Sequence, residues 1–341
     1  MSDWVTLLAG NDRRGGVAGT RAKGPDALVW KATLPEPIHA SPVLHGGAVY
    51  VTCRDGHLYA IDSATGRERW KFRAGGPIHS TPSLSGDLIL FGCDDGAVYA
   101  LDSSAGRLRW KTERGGPIWA SPIVVGDVVY VGASDGRFRA VDRSAGSIRW
   151  TREFSGRIDS TAYAGDGRIY FGCGDGRVYA LDGTSGRDIW SHQTGDSVVA
   201  SPAVANGLVI VGSEDGVLYA LEAASGKPKW RLATGLGIFS SAAVGGGKVF
   251  VASRDGFFYA VGLESGQPVW KSESLRFTTA SPVAGETIVW IHTTGATRAF
   301  DADSGASLWT ANLGGSAQST PIITPDAVYI ATLGGVVYAL R

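Results

Sequence analysis

Residues 60–70 read AIDSATGRERW, and the tryptophan that ends this stretch recurs through the whole chain. The interval is 40 residues, except for a last interval of 39, and the recurring residues are Trp30, Trp70, Trp110, Trp150, Trp190, Trp230, Trp270 and Trp309. An Asp-Gly pair, first found at Asp55-Gly56, and a Ser/Thr-Pro step, first found at Ser41-Pro42, recur in step with it. A fixed period of this length indicates one supersecondary unit repeated along the chain.

Each unit has the pattern of four short strands. In the first unit we predict strands over about residues 38–44, 47–53, 57–62 and 67–73. The Asp55-Gly56 pair predicts a tight hairpin between the second and third strands, because both residues tolerate a positive φ. Four strands in 40 residues, with no sustained helical periodicity, are typical of a β-propeller blade.

The number of blades follows from counting the repeated strands. Eight tryptophan-bearing fourth strands and eight first strands predict an all-β, eight-bladed β-propeller with four antiparallel strands per blade. The first tryptophan precedes the first complete unit, and the chain ends just after a third strand. We therefore expect the strand around Trp30 to complete the blade that begins near Thr320, which closes the ring and removes two sheet edges. The predicted division is a lead-in segment, residues 1–26, followed by a single propeller, residues 27–341.

The stretch at residues 60–70 resembles the A-x-D-x-x-T-G-x-x-x-W docking motif of PQQ-repeat propellers. Close variants of it end at the later tryptophans. The family includes quinoprotein dehydrogenases, the outer-membrane assembly factor BamB and sensor domains fused to bacterial kinases. The resemblance implies the propeller fold for nearly the whole chain. It also implies that each motif tryptophan packs between neighbouring blades and has a structural role.

Charge and hydropathy exclude two classes of partner. The chain carries 32 basic and 32 acidic side chains, whereas a nucleic-acid-binding protein usually has a basic surplus. No stretch approaches the roughly 20 apolar residues that cross a bilayer. Residues 1–10, MSDWVTLLAG, lack the basic and long apolar regions of a secretory signal. We therefore expect a cytoplasmic protein with neither a nucleic-acid nor a membrane partner.

We also expect no cofactor, in spite of the name of the repeat. Quinoprotein dehydrogenases hold the quinone PQQ with calcium, and often have a disulfide between adjacent cysteines. The three cysteines here, Cys53, Cys93 and Cys173, lie in different units and form no adjacent pair. A metal site is not expected either, because no short His-x-His or His-x-x-x-His spacing occurs.

One repeated position varies sharply from unit to unit and marks the candidate site. It lies where the outer strand of one blade crosses to the inner strand of the next, and is occupied by His39, His79, Trp119, Asp159, Val199, Phe239, Thr279 and Gln318. We expect these side chains to converge at the mouth of the central channel. Trp119 and Phe239 are costly to expose, which favours a ligand pocket over unconstrained surface variation.

A second ring is predicted farther out, at the residues just before the hairpin turns. These residues are Arg54, Asp94, Ser134, Gly174, Glu214, Arg254, Thr293 and Leu333, and His292 lies one residue before its turn position. Arg54 and Arg254 are candidates for holding a carboxylate or phosphate, and Asp94 and Glu214 for holding an amine. The ligand-binding candidates are Trp119, Phe239, Gln318, Thr279, Arg54, Asp94, Glu214, Arg254 and His292.

Three functions remain open from the sequence. The first is binding of a small molecule or short peptide at the channel mouth. The second is a cofactor-independent isomerase, cyclase or lyase in which His39, His79 and Asp159 are the catalytic acid–base groups. The third is a scaffold that binds a protein partner on the rim of the propeller.

Overall fold

The computed structural model describes residues 27–273, 275, 279–293, 295–313, 315–316 and 318–341. They form eight antiparallel sheets of four strands each, which confirms the predicted all-β, eight-bladed propeller. Within these residues no helix has the length and apolar character needed to cross a membrane. The predicted lead-in segment, residues 1–26, lies outside the described part of the chain.

The strands follow the repeat closely. Strand β1 (Leu28–Thr33) belongs to blade 8, and the other strands follow in chain order. Blade 1 has β2 (Val43–His45), β3 (Ala48–Thr52), β4 (His57–Asp62) and β5 (Glu68–Arg73); blade 2 has β6 (Ser83–Ser85), β7 (Leu88–Gly92), β8 (Val98–Asp102) and β9 (Leu108–Lys111); blade 3 has β10 (Ile123–Val125), β11 (Val128–Gly132), β12 (Arg137–Asp142) and β13 (Ile148–Glu153). Blade 4 has β14 (Tyr163–Gly165), β15 (Arg168–Gly172), β16 (Arg177–Asp182) and β17 (Asp188–Gln193); blade 5 has β18 (Ala203–Ala205), β19 (Leu208–Gly212), β20 (Val217–Glu222) and β21 (Pro228–Ala233). Blade 6 has β22 (Ala243–Gly245), β23 (Lys248–Ala252), β24 (Phe258–Gly262) and β25 (Pro268–Lys271); blade 7 has β26 (Val283–Ala284), β27 (Ile288–Thr293), β28 (Ala296–Asp301) and β29 (Ser307–Asn312); blade 8 has β30 (Ile322–Ile323), β31 (Val328–Ala331) and β32 (Val336–Leu340).

The ring closes through the two ends of the described chain. Strand β1 pairs antiparallel with β32, and Trp30 lies opposite Ala339 in that register. The backbone amides of Ala27 and Arg341 each donate to the other residue's carbonyl at 2.9 Å. The predicted closure by the N-terminal strand is confirmed, and the pairing covers the edge that blade 8 would otherwise expose.

The motif tryptophans join neighbouring blades, as the resemblance implied. The indole Nε1 of Trp190, on the outermost strand of blade 4, donates to the carbonyl of Ala223 in blade 5 at 3.0 Å. Its ring lies against Gly226, whose φ of +69° suits glycine in the turn. The same indole-to-carbonyl bond is made by Trp30, Trp110, Trp150, Trp230 and Trp270.

A belt of hydroxyl groups links the blades around the axis. The position after the small Ala or Ser that precedes each first strand is always Ser or Thr. The backbone amides of seven of these residues donate to the equivalent hydroxyl of the next blade. Thr81 donates to Ser121 at 2.9 Å, and Thr320 donates to Ser41 at 2.9 Å across the closure of the ring. Steric crowding alone explains small residues here, but the requirement for a hydroxyl comes from these bonds.

Candidate ligand site at the channel mouth

Two sets of loops, the connectors and the hairpins, alternate on the face of the propeller where we expect the channel mouth. A connector joins the outermost strand of each blade to the next innermost strand, and a hairpin joins the second and third strands. The hairpin of blade 1 is held between two connectors, because Arg54 N donates to Pro37 O at 3.2 Å and Ile78 N donates to Cys53 O at 3.3 Å. The predicted inner and outer rings therefore interleave on one face, and we call them together the mouth ring.

Three aromatic side chains from consecutive connectors contact one another in a row, which we call the aromatic stack. The rings of His39 and His79 have centroids 5.1 Å apart and are tilted by 59°. The rings of His79 and Trp119 have centroids 5.0 Å apart and are nearly parallel, at 28°. Oε1 of Gln318 lies 2.9 Å from Nδ1 of His39 and extends the contact across the closure of the ring. Trp119 remains 43% exposed at the end of this stack.

Asp94 links the second and third members of the stack. Its Oδ1 accepts a hydrogen bond from Nε1 of Trp119 at 2.9 Å, and its Oδ2 lies 3.4 Å from Nε2 of His79. The carboxylate therefore orients the indole and faces the imidazole together. The sequence placed Asp94 in the outer ring without assigning it these partners. The residue numbers contain the information that could have predicted these contacts. Asp94 lies 15 positions after His79 and 25 before Trp119, so its hairpin falls between the two connectors.

The electrostatic environment lowers the pKa of both histidines. Burial is the main cause for His39, and the positive charge of Arg54 adds to it, while the bond with Gln318 opposes it. Burial is also the main cause for His79, where Asp94 opposes the shift and His39 and Arg54 add to it. The lowered pKa favours the neutral form of both imidazoles, in which one ring nitrogen of each is a hydrogen-bond acceptor.

Asp159 lies in a different set of contacts from the histidines with which the sequence analysis grouped it. Its Oδ1 accepts a hydrogen bond from Oγ of Ser134 at 2.7 Å, and its Oδ2 lies 3.0 Å from Nε of Arg157. The carboxylate that contacts His79 is Asp94. Any acid–base pair at this mouth is therefore His79 with Asp94.

A second polar cluster lies on blades 5 and 6. The guanidinium carbon of Arg254 lies 4.7 Å from the ring centroid of Phe239, a cation–π contact. Burial raises the pKa of Glu214, and the negative charge of Asp196 adds to the shift, while nearby arginines oppose it. Of the remaining candidates, Thr279 is half-buried and Gln318 is exposed.

His292 is placed inside blade 7. The residue is fully buried, and its Nδ1 lies 2.7 Å from Oγ1 of Thr297. Burial lowers its pKa to about 4, although a hydrogen bond with the Gly315 backbone opposes the shift. The position before each hairpin residue points into the blade, which alternation along the strand predicts but the sequence analysis did not use.

The cysteines occupy this same inward position in three other blades. Sγ of Cys53 donates to the connector carbonyl of Glu36 at 3.3 Å, and Sγ of Cys93 donates to that of Gly76 at 3.3 Å. Burial raises the pKa of Cys53 to about 11 and that of Cys173 to about 12, which disfavours the nucleophilic thiolate form. Ser213, at the equivalent position of blade 5, makes the corresponding bond to its own connector.

The donor groups at the mouth do not fit a calcium-bound quinone. Asp94 and Asp159 already have cationic or N–H partners, and the cysteines are held in separate blades. Among the described residues, no three His, Cys, Asp or Glu side chains are grouped so as to hold a metal ion.

Solved structures with the same architecture include an assembly factor and two dehydrogenases. BamB from Moraxella catarrhalis superposes with a TM-score of 0.80 at 20% identity, over 92% of this chain and 99% of that one. A europium-containing methanol dehydrogenase gives 0.86 at 15% identity, over 99% and 97%. The quinohemoprotein alcohol dehydrogenase of Comamonas testosteroni gives 0.84 at 15% identity, over 99% and 80%. At these identities the likeness shows the fold alone.

The family follows from the sequence comparison. No curated protein matches this sequence significantly. A family model does match, at residues 14–163, 151–281 and 233–341, which together cover most of the chain. The repeat, the docked tryptophans and this match agree, and the chain belongs to the PQQ-repeat propeller family described as outer membrane protein assembly factor BamB.

Proposed function

We propose that this protein binds a small molecule or short peptide at the mouth ring. The observation that carries the proposal is the fixed but exposed indole of Trp119. Its Nε1 is bonded to Asp94 and one face is stacked on His79, yet 43% of the residue remains exposed. Holding a large aromatic surface open to solvent has no benefit for folding, whereas a ligand ring can stack on it. In this proposal the site works without a quinone or a metal.

The test is a fragment screen with a matched pair of variants. Small molecules and short peptides are screened against the full chain by ligand-observed NMR, and the hits are titrated. Trp119→Ala is expected to weaken binding of the hits about threefold to tenfold, the value of one aromatic contact. Leu308→Ala removes a side chain of similar exposure, 42%, from the outermost strand of blade 7 and serves as the control. Hits that bind both variants equally well would show that the ligand surface lies elsewhere.

A catalytic role is the second candidate, and the pairing of His79 with Asp94 favours it. A carboxylate beside an uncharged imidazole is the arrangement of a general base and its orienting group. The hits of the screen are tested for turnover with wild-type protein and with His79→Asn. Turnover that disappears while the dissociation constant is retained supports catalysis. If the wild-type protein binds the hits but does not turn them over, only the binding function is supported.

A further inference from the structure

Arg54 is a cation close enough to the two histidines to act on both, and the described residues offer it no acidic partner. It is the hairpin residue between the connectors that carry His39 and His79, and its charge acts on both rings. Its side chain is exposed, and no carboxylate of the described residues lies within ion-pair distance of it. By contrast, Arg157, which lies on the connector between blades 3 and 4, is paired with Asp159. Arg54 therefore offers an unused fork of N–H donors at the start of the aromatic stack.

The contacts of each histidine determine which nitrogen is left over. Oε1 of Gln318 is an acceptor, so neutral His39 keeps its proton on Nδ1 and leaves Nε2 unprotonated. The carboxylate of Asp94 faces Nε2 of His79, which places the proton there and leaves Nδ1 unprotonated. Protonation would turn the remaining nitrogen of each ring from an acceptor into a donor beside Arg54.

We infer that Arg54, His39 and His79 form a proton-linked site for an oxyanion group, a carboxylate or a tetrahedral phosphate-like group, of the mouth ligand. The inference rests on the proposed binding function and names the chemical class of the ligand. The charged groups that face the two rings are Arg54 and Asp94, whose charges cancel while both imidazoles are neutral. With both rings protonated the cluster carries two net positive charges, and the anion accepts hydrogen bonds from the guanidinium and from two imidazoliums.

The linkage has a definite sign. The bound anion stabilises the protonated form of both imidazoles, so binding raises their pKa values and takes up protons. Affinity for the anion therefore increases as the pH falls from 8 to 5.5. The increase is at most about tenfold for each histidine whose pKa rises by one unit on binding. Above pH 7 only the charge of Arg54 remains to attract the anion.

The experiment uses sulfate and benzoate, two anions that keep their charge between pH 5.5 and pH 8. Each is titrated into the full chain at both pH values and constant ionic strength, and the histidine ring resonances are followed by NMR. The expected result is tighter binding at pH 5.5 and an upward shift in the pKa of His39 and His79. Preference for benzoate that persists in Trp119→Ala, where the stacking surface for its ring is removed, identifies a carboxylate ligand. Preference for sulfate identifies a tetrahedral one.

Variants separate this site from general charge effects. Arg54→Gln is expected to lower the affinity at pH 5.5 at least about tenfold, the loss of one charge-assisted pair. Arg67→Gln removes the same charge from an exposed turn at the other end of blade 1 and should leave the affinity unchanged. Arg54→Lys, which keeps the charge without the fork, should recover part of the loss.

Two results would overturn the inference. One is anion binding of equal strength at pH 5.5 and pH 8, and the other is equal binding by Arg54→Gln and Arg67→Gln. Fragments that bind in a manner sensitive to Trp119→Ala but insensitive to Arg54→Gln would retain the proposed function and remove the oxyanion site. If Arg54→Gln weakens anion binding but Trp119→Ala weakens the binding of no fragment, the oxyanion site is retained and the proposed stacking of a ligand on Trp119 is removed.

Discussion

Replacing Gly226 by alanine tests the docking of one blade on the next. Gly226 has a φ of +69°, and a Cβ at this position would lie 2.6 Å from Cδ2 of Trp190. Gly207 has a nearly equal φ of +73°, but a Cβ there would meet no atom within 4 Å. The pair of variants therefore shares the same backbone cost and differs in the clash with the indole.

The expected magnitudes follow from this comparison. Placing alanine in the left-handed region costs about 1–2 kcal/mol in both variants. Gly226→Ala also displaces the Trp190 indole and lengthens its hydrogen bond to the Ala223 carbonyl. The overpacking costs about 1–3 kcal/mol of free energy of unfolding. Gly226→Ala should thus lose about 1–3 kcal/mol more free energy of unfolding than Gly207→Ala.

The assay is equilibrium unfolding in urea, followed by far-UV circular dichroism for the strands and by fluorescence for the tryptophans. Restoring the space with Trp190→Ala in the Gly226→Ala background should remove most of the extra loss that the clash causes, measured against Trp190→Ala alone. Equal destabilisation by the two glycine variants would refute the role assigned to the docked indole.

Two further predictions concern the interior. Because His292 has a folded-state pKa of about 4, below its ordinary 6.5, the unfolded chain takes up its proton first as the pH falls. Stability should therefore decrease between pH 6.5 and pH 4, and His292→Asn should make the free energy of unfolding less dependent on pH by up to about 1.4 kcal/mol per pH unit in urea titrations; an unchanged slope would contradict the assignment. Ser121→Ala leaves the buried amide of Thr81 without its acceptor and should cost about 1–3 kcal/mol. Ser144→Ala, which removes a hydroxyl from an exposed turn, should cost less than about 1 kcal/mol in the same assay.

The chemistry of the mouth depends on contacts between blades. The stack of His39, His79 and Trp119 uses one residue from each of three connectors, and Asp94 enters between the last two from a hairpin. Each blade alone supplies only one connector residue and one hairpin residue to this surface. Variation at two repeated positions can therefore change the proposed ligand site without disturbing the docked tryptophans or the hydroxyl belt.

The sequence by itself determined the architecture. The 40-residue tryptophan period and the Asp-Gly turns are local and repetitive, and each unit buries its apolar faces only against its neighbours. Eight units and an incomplete last blade therefore predict a closed ring in which β1 completes blade 8, as observed. The same repetition is the reason why the variable positions were expected on one face, since a repeat places equivalent residues equivalently.

Only the tertiary structure decided which of those side chains meet. The sequence analysis grouped Asp159 with the two histidines, but the interleaving of connectors and hairpins sets Asp94 against His79 and leaves Asp159 to Ser134. It also turned His292 into the interior of blade 7. These contacts join residues of separate repeats, and the angle between blades about the central axis, which no single repeat contains, controls them.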